Sequence, residues 1–240
     1  MQKIPLPRFQ FEQIGIIHSC YRQKFGIPRQ PGIVKAAEAE LELLSPYNQE
    51  NLVRGLDVFS HIWVHFIFHK TMEEGWRATV RPPRLGGRER KGVFATRSTH
   101  RPNPVGTSVV ELRGIRTGNG KMVLKLGAVD LLDGTPVIDI KPYLPYADAL
   151  PEASGGFAPS PVTLFDVRFS DQAMARCAAY EQVTGRQLVQ LIKEVLGQDP
   201  RPAYLRETTH RRHGTALWDI NVVWESHGTY FLVTDLERLP

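Results

Sequence analysis

Between two apolar runs of this chain lies Ala95–Ser108, ATRSTHRPNPVGTS, where arginines, prolines and hydroxyl side chains crowd around a glycine. Guanidinium groups on a proline-stiffened loop suit an anion, and a glycine lets a ligand approach the backbone. Arg97 and Arg101 are the candidate anion-binding groups, Pro102 and Pro104 the stiffeners, and Gly106 the point of close approach. The alternative for the same residues is a rigid inter-strand loop whose arginines pair with acidic neighbours.

A second concentration of charge precedes it. In RATVRPPRLGGRERKG, Arg77, Arg81, Arg84, Arg88, Arg90 and Lys91 are opposed only by Glu89. Prolines and glycines make this a loop, and cations on an extended loop can follow a phosphate backbone. A third basic stretch, QDPRPAYLRETTHRRHG, offers Arg201 together with Arg206, Arg211 and Arg212, and Tyr204 as an aromatic able to stack on a base. Over the whole chain 30 Lys and Arg face 25 Asp and Glu, a net charge of +5 that favours a polyanionic partner.

Other chemistries are disfavoured by spacing. His61, His65 and His69 recur every four residues, which on a helix would make a metal-binding stripe. Their segment, HIWVHFIFH, alternates as a strand instead, so successive histidines stand roughly 13 Å apart and share no ion. Neither a phosphate-binding lysine loop nor a dinucleotide glycine fingerprint occurs, and there is no G-x-S-x-G elbow. Cys20 and Cys177 alone build no disulfide framework or thiolate cage, which fits a reducing compartment. The first residues lack the apolar centre of a signal peptide and no run of about 18 apolar residues exists, so a cytoplasmic protein without membrane association is expected.

The elements that must position these groups are mostly strands. In HIWVHFIFH, Ile62, Val64, Phe66 and Phe68 form the core face. FQFEQIGII, KGVFAT and TPVIDI read as further strands, and PYNQENLVRGL as a short helix capped by Asn48. VGTSVVELRGI and KMVLKLGAV flank Asn119-Gly120, a tight hairpin turn. Without long helices to carry parallel crossovers, a mainly β fold with an antiparallel barrel is expected over residues 1–150. LPEASGGFAPSP marks a linker at 151–161. Residues 162–240 then read as a small α+β domain: Leu188, Leu191, Ile192, Val195 and Leu196 follow helical spacing, and strand alternation returns around a turn at His227-Gly228.

Taken in order, IPRQPG, FSHIWV, GVFATRSTHRPNPVG, LLDGTPVIDIKPYLPY and QDPRPAY resemble the TsaA-like, or TrmO, family of bacterial tRNA methyltransferases, and the resemblance spans nearly the whole chain. It implies a dimeric, single-sheet β-barrel enzyme that uses S-adenosylmethionine to methylate N6 of N6-threonylcarbamoyladenosine, beside the anticodon of a threonine tRNA. Carried over residue by residue, it places the cofactor at Pro28, Arg29 and Gln30, at His69 and Lys70, at Arg97, and at Asp130, Leu131, Leu132 and Asp133. Asp133, Asp139, His69 and Tyr143 are the candidate acceptors of the N6 proton, and the residues alone do not choose among them. The expected tRNA contacts are Arg77, Arg81, Arg84, Arg88, Arg90, Lys91, Arg201 and Tyr204. Two other readings stay open at this level: a non-catalytic tRNA-binding module, and a methyltransferase acting on a small molecule.

Overall fold

Alternating burial turns the N-terminal part into a closed wall. In this computed structural model, which describes residues 7–160, 163–202, 205–206 and 209–239, the strands in chain order are β1 Gly15–Ser19, β2 Glu38–Leu43, β3 His61–Ile67, β4 Thr79–Val80, β5 Lys91–Gly92, β6 Val105–Gly118, β7 Lys121–Gly127 and β8 Pro136–Pro142. Six of them close as β1-β2-β7-β6-β3-β8, each pair antiparallel, which leaves the sheet no free edge. On β3 the expected face is the buried one: Ile62, Val64 and Phe66 enter the core and Phe68 packs against it. The β6–β7 hairpin turns at Asn119 (φ +52°) and Gly120 (φ +72°), as the dipeptide requires.

Several local expectations change in the fold. The first strand begins only at Gly15, and Phe9 and Phe11 before it stay exposed. KGVFAT contributes two strand residues before Val93–Ala95 coil into a 3₁₀ turn. The short helix α1 is Glu50–Val53, with Asn48 outside it: its amide donates to the Gly120 carbonyl at 2.8 Å instead of capping. Gly106 faces Phe66 across β6 and β3, and a Cβ there would lie 2.4 Å from the ring. The glycine therefore makes room for an aromatic ring in the core, not for a ligand.

After the single-turn α2, Pro145–Asp148, come β9 Asp166–Phe169, α3 Asp171–Thr184, α4 Leu188–Gly197, β10 Arg212–Leu217, β11 Ile220–Ser226 and β12 Tyr230–Arg238. The strands form a separate sheet, β10-β11-β12-β9, whose last pair is parallel. Ser170 Oγ caps α3 by accepting the Ala173 N–H at 3.1 Å, and Gly185 ends it in the left-handed region. The expected apolar stripe of α4 is wholly buried. Among the described residues no helix is long and apolar enough to cross a membrane.

The segment between β1 and β2 docks on this second domain. Tyr21 bridges Leu217, Trp218 N–H donates to the Cys20 carbonyl at 2.8 Å, and Ala36 N–H donates to Glu194 Oε2 at 2.9 Å.

Candidate functional site

Strand direction decides where the site can be. β1, β3 and β7 end, and β2, β6 and β8 begin, at one rim of the barrel, so segments 20–37, 68–104 and 128–135 open together there. Every segment expected to hold the cofactor belongs to this set.

Hydrogen bonds stitch the segments into one mouth. Gly32 N–H donates to the Ala128 carbonyl at 2.9 Å, Phe68 N–H to Pro104 at 2.8 Å, and Asp133 N–H to Tyr21 at 2.9 Å. Arg97 donates to Gln30 Oε1, and Lys24 Nζ reaches the Lys70 carbonyl at 3.5 Å. Pro28 is buried beneath this rim while Arg29 is exposed. Leu131 is buried and its carbonyl takes the Ser19 hydroxyl at 2.6 Å, while the Leu132 carbonyl takes that of Thr135 at 2.7 Å. His69 is half-buried, and burial, followed by the Lys70 charge, lowers its pKa and favours the neutral ring.

The two carboxylates of Asp130–Asp133 have different fates. Asp133 is engaged on both oxygens: Oδ1 accepts the Ser19 N–H at 3.0 Å and Oδ2 pairs with Arg22 at 2.6 Å. It locks the loop to the end of β1. Asp130 Oδ1 is buried and without a hydrogen-bond partner among the described residues. Burial pushes its carboxyl up to about 6, against the Ser108 hydroxyl, its own backbone N–H and the Arg97 charge. A buried acceptor left unmade is costly, and its natural complement is a cationic donor supplied by a ligand.

Two candidate proton acceptors lie elsewhere in the chain. Asp139 sits in β8 opposite His65, its oxygens taken by Ile140 N–H and Lys141. Tyr143 follows the far end of β8, donating its N–H to His61 at 3.1 Å, its ring tilted against His61 and Trp63. Because β8 runs away from the mouth at about 3.3 Å per residue, Tyr143 is roughly 20 Å from it in the same chain. Arg101 also differs from expectation. Its Nη1 donates to the carbonyls of Val93 and Thr96 at 3.3 and 2.7 Å, bracing the loop from within. An apolar cleft of about 410 Å³ at the opposite rim, lined by Leu43, Leu52, Leu56 and Phe59, has Asp139 in its wall.

The long basic run folds as a ribbon between β4 and β5, turning through Pro83–Leu85 and two left-handed glycines, Gly86 and Gly87. Arg77 pairs with Glu74 at 3.7 Å, Lys91 with Glu89 at 3.0 Å, and Arg90 donates to Thr79 Oγ1 at 3.1 Å. Arg81 and Arg88 are exposed and have no ion pair among the described residues, and Arg84 donates only to the Ser160 carbonyl. Beside the ribbon Trp76 is 61% and Phe94 77% exposed. The sequence reading missed both, although aromatics interleaved with a basic run are a signal that could have found them.

Arg201 leaves the set of surface cations. Its side chain is 3% exposed, bound to Asp199 at 2.7 and 3.1 Å and to Ser226 Oγ at 2.8 Å, and its guanidinium lies over Phe231. This charge is consumed in holding the C-terminal sheet, and an RNA phosphate cannot reach it. Tyr204 lies outside the described residues.

Comparison with known proteins identifies the family of the chain. Residues 16–149 match the tRNA-methyltransferase O N-terminal domain, and residues 163–239 match the TrmO C-terminal domain. A tRNA (adenine(37)-N6)-methyltransferase of Escherichia coli K12 is 54% identical over 231 residues, which cover 95% of this chain and 98% of that protein. A Pseudomonas aeruginosa relative, provisionally named an S-adenosylmethionine-dependent methyltransferase, is 49% identical over 211 residues, 88% of this chain and 90% of that protein. A crystal structure described as TrmO from the same species superposes with a TM-score of 0.83 at 40% identity, covering 98% of this chain and all of that one.

Proposed function

The chain belongs to the tRNA-methyltransferase O family, and from that premise we propose how its residues divide the work. It is an S-adenosylmethionine-dependent tRNA methyltransferase acting on N6 of adenine 37. The observation that carries the reading of the site is the buried, unpartnered Asp130 oxygen beside Arg97, at a rim where all the cofactor segments meet.

The donor set fits the cofactor. Arg97 offers the cation that a methionyl carboxylate needs, Asp130 the acceptor for its ammonium, and Leu131 and Leu132 the apolar wall for an adenine. When bound, the cofactor supplies an electrophilic methyl group on a sulfonium. The chain holds Gln30 against Arg97 and fixes the Asp130–Asp133 loop through Ser19 and Arg22, so the binding groups are set before the ligands arrive. His69, at the mouth with a ring that burial favours neutral, is the N6 proton acceptor in this reading, since Asp133 is given over to holding the loop to Ser19 and Arg22. In this division residues 1–150 hold the cofactor, 151–161 link, and 162–240 help hold the RNA.

The finer substrate is a threonine tRNA already carrying threonylcarbamoyladenosine, as the motif resemblance implies, and the working unit is a homodimer. Transfer of label from S-adenosylmethionine to total tRNA, followed by nucleoside analysis, tests the substrate. Label in unmodified adenosine, or equal labelling of tRNA lacking the threonylcarbamoyl group, would overturn that assignment. Sedimentation of the purified protein as a monomer at working concentration would overturn the dimer.

Two expected results separate cofactor from RNA. Arg97→Ala weakens S-adenosylmethionine binding about tenfold, because a charged hydrogen bond at an exposed guanidinium is worth about 1.5 kcal/mol. Calorimetry on the folded variant reads this directly, and unchanged affinity removes Arg97 from the site. Trp76→Ala instead weakens tRNA binding by about 1 to 3 kcal/mol, the value of one stacked base, with cofactor affinity unchanged. Parental tRNA affinity in that variant would leave Trp76 as a solvent-exposed ring without a role.

A further inference from the structure

Aromatic rings left in water gather at the barrel mouth. Phe25 is 60% exposed, on the segment between β1 and β2, and Trp76 and Phe94 are 61% and 77% exposed, on the segment between β3 and β6. Trp63, Trp218 and Trp224 are buried or half-buried, so Trp76 is the one tryptophan held out in solvent.

Polar bonds fix where the three rings stand. Lys24, next to Phe25, reaches Glu74 Oε1 at 3.2 Å and the Lys70 carbonyl at 3.5 Å. Glu74, two residues before Trp76, also binds His100 Nε2 at 2.9 Å. On the other side of Trp76, Arg77 N–H donates to the His100 carbonyl at 3.2 Å. Val93 N–H, next to Phe94, donates to the Ala78 carbonyl at 3.0 Å, and the Arg101 guanidinium lies 5.8 Å from the Phe94 ring centre. The chain thus spends backbone bonds and a shared carboxylate on this rim while leaving its rings uncovered.

The neighbouring charge indicates what covers them. Arg81 and Arg88, in the ribbon that follows Trp76, are exposed and have no ion pair among the described residues. An apolar protein face would strip water from these guanidinium groups without replacing it, whereas single-stranded nucleic acid brings flat bases and negative phosphates together. The reaction creates the same need. An adenine N6 inside a stack is out of reach, so the base must leave its stack, and the nucleotides beside it each lose a covered face. We propose that Phe25, Trp76 and Phe94 form a stacking rim for the unpaired nucleotides that flank adenine 37. This rests on the tRNA methyltransferase reading, and it adds that the site selects an unpaired loop over a duplex.

The test uses the full-length protein with two synthetic RNAs, a hairpin of the anticodon arm and a blunt duplex of equal length. Phe25→Leu, Trp76→Leu and Phe94→Leu keep an apolar side chain and remove the flat ring. Each is expected to bind the hairpin about tenfold more weakly, with duplex binding unchanged. The log–log salt slope stays parental, because no phosphate contact is removed. Trp76→Phe keeps a ring and is expected to restore most of the affinity. Parental hairpin affinity in all three leucine variants would overturn the proposal and leave the tRNA reading intact. Equal losses on hairpin and duplex would overturn it too, as would a leucine variant whose sedimentation changes while its RNA binding does not, since the rim would then cover a second copy of the chain. A parent protein that binds neither total tRNA nor the hairpin would sink the tRNA reading and the rim with it.

Discussion

Asp130→Asn is expected to make the protein more stable at pH 7.5 by about 2 to 3 kcal/mol, and to weaken S-adenosylmethionine binding by about two orders of magnitude. Both effects follow from a carboxyl raised from the ordinary 3.8 to about 6 by burial, against Ser108 and Arg97. Below pH 4 it is protonated folded or unfolded and contributes nothing. Between about pH 4 and 6 the folded state binds the extra proton, so stability falls as pH rises, and above 6 the full cost of about 3 kcal/mol is present. Asparagine keeps the shape, removes the ionisation and so removes the cost. It also removes the charge that complements an ammonium group, so stability rises as binding falls. Denaturant unfolding at pH 4 and pH 7.5 checks the first effect: the variant and parent should converge in acid and separate at neutrality. The same carboxylate predicts that the parent binds its cofactor more weakly as pH falls below 6, because a cation prefers the ionised form. Equal stability at both pH values, or undiminished cofactor affinity in the variant, would remove Asp130 as the charged acceptor.

That prediction could not have been made from the residues alone, and the reason is physical. In DLLD the two carboxylates look alike, and only the fold brings Ser19 and Arg22 to Asp133 while leaving Asp130 with an empty oxygen. The barrel itself was legible, because alternation at His61–Ile67 and the Asn119-Gly120 turn are local rules. The segments that the motif resemblance assigns to the cofactor are far apart in the chain, and the closed strand order explains why they share one rim. Burial of charge was not legible. Arg201, in a Pro-flanked stretch that reads as surface, is sunk against Asp199 and Phe231, whereas Arg206, five residues on, keeps its donors. Gly106 misled in the same way: its need for space comes from a ring on the neighbouring strand, and cross-strand neighbours are invisible until register is known.

The second large effect concerns a domain that contains none of the cofactor motifs. A chain ending at residue 160 is expected to retain β structure by circular dichroism yet lose S-adenosylmethionine affinity by at least about 100-fold, the cost of a binding loop that must be ordered on binding. The barrel keeps its own core of Ile17, Leu41, Ile62, Val64, Leu124 and Val137. The segment between β1 and β2 keeps its bonds to Ala128 and Asp133 but loses those to the C-terminal domain. It loses the Tyr21–Leu217 bridge, the Trp218 to Cys20 bond and the Glu194 acceptor for Ala36. It also loses close packing at Gly26, where a Cβ would lie 3.0 Å from Thr215 and 3.6 Å from Val195. Pro28 and Gln30 hang between those anchors, so their position against Arg97 depends on the C-terminal sheet. In the full-length protein Glu194→Ala should act in the same direction but more weakly, by about 1 kcal/mol for one charged acceptor withdrawn from a backbone N–H near the surface. It tests the point should the shortened chain not fold. Cofactor binding at parental strength in both proteins would show that the loop holds its shape on the barrel alone, and that the C-terminal domain acts on the RNA only.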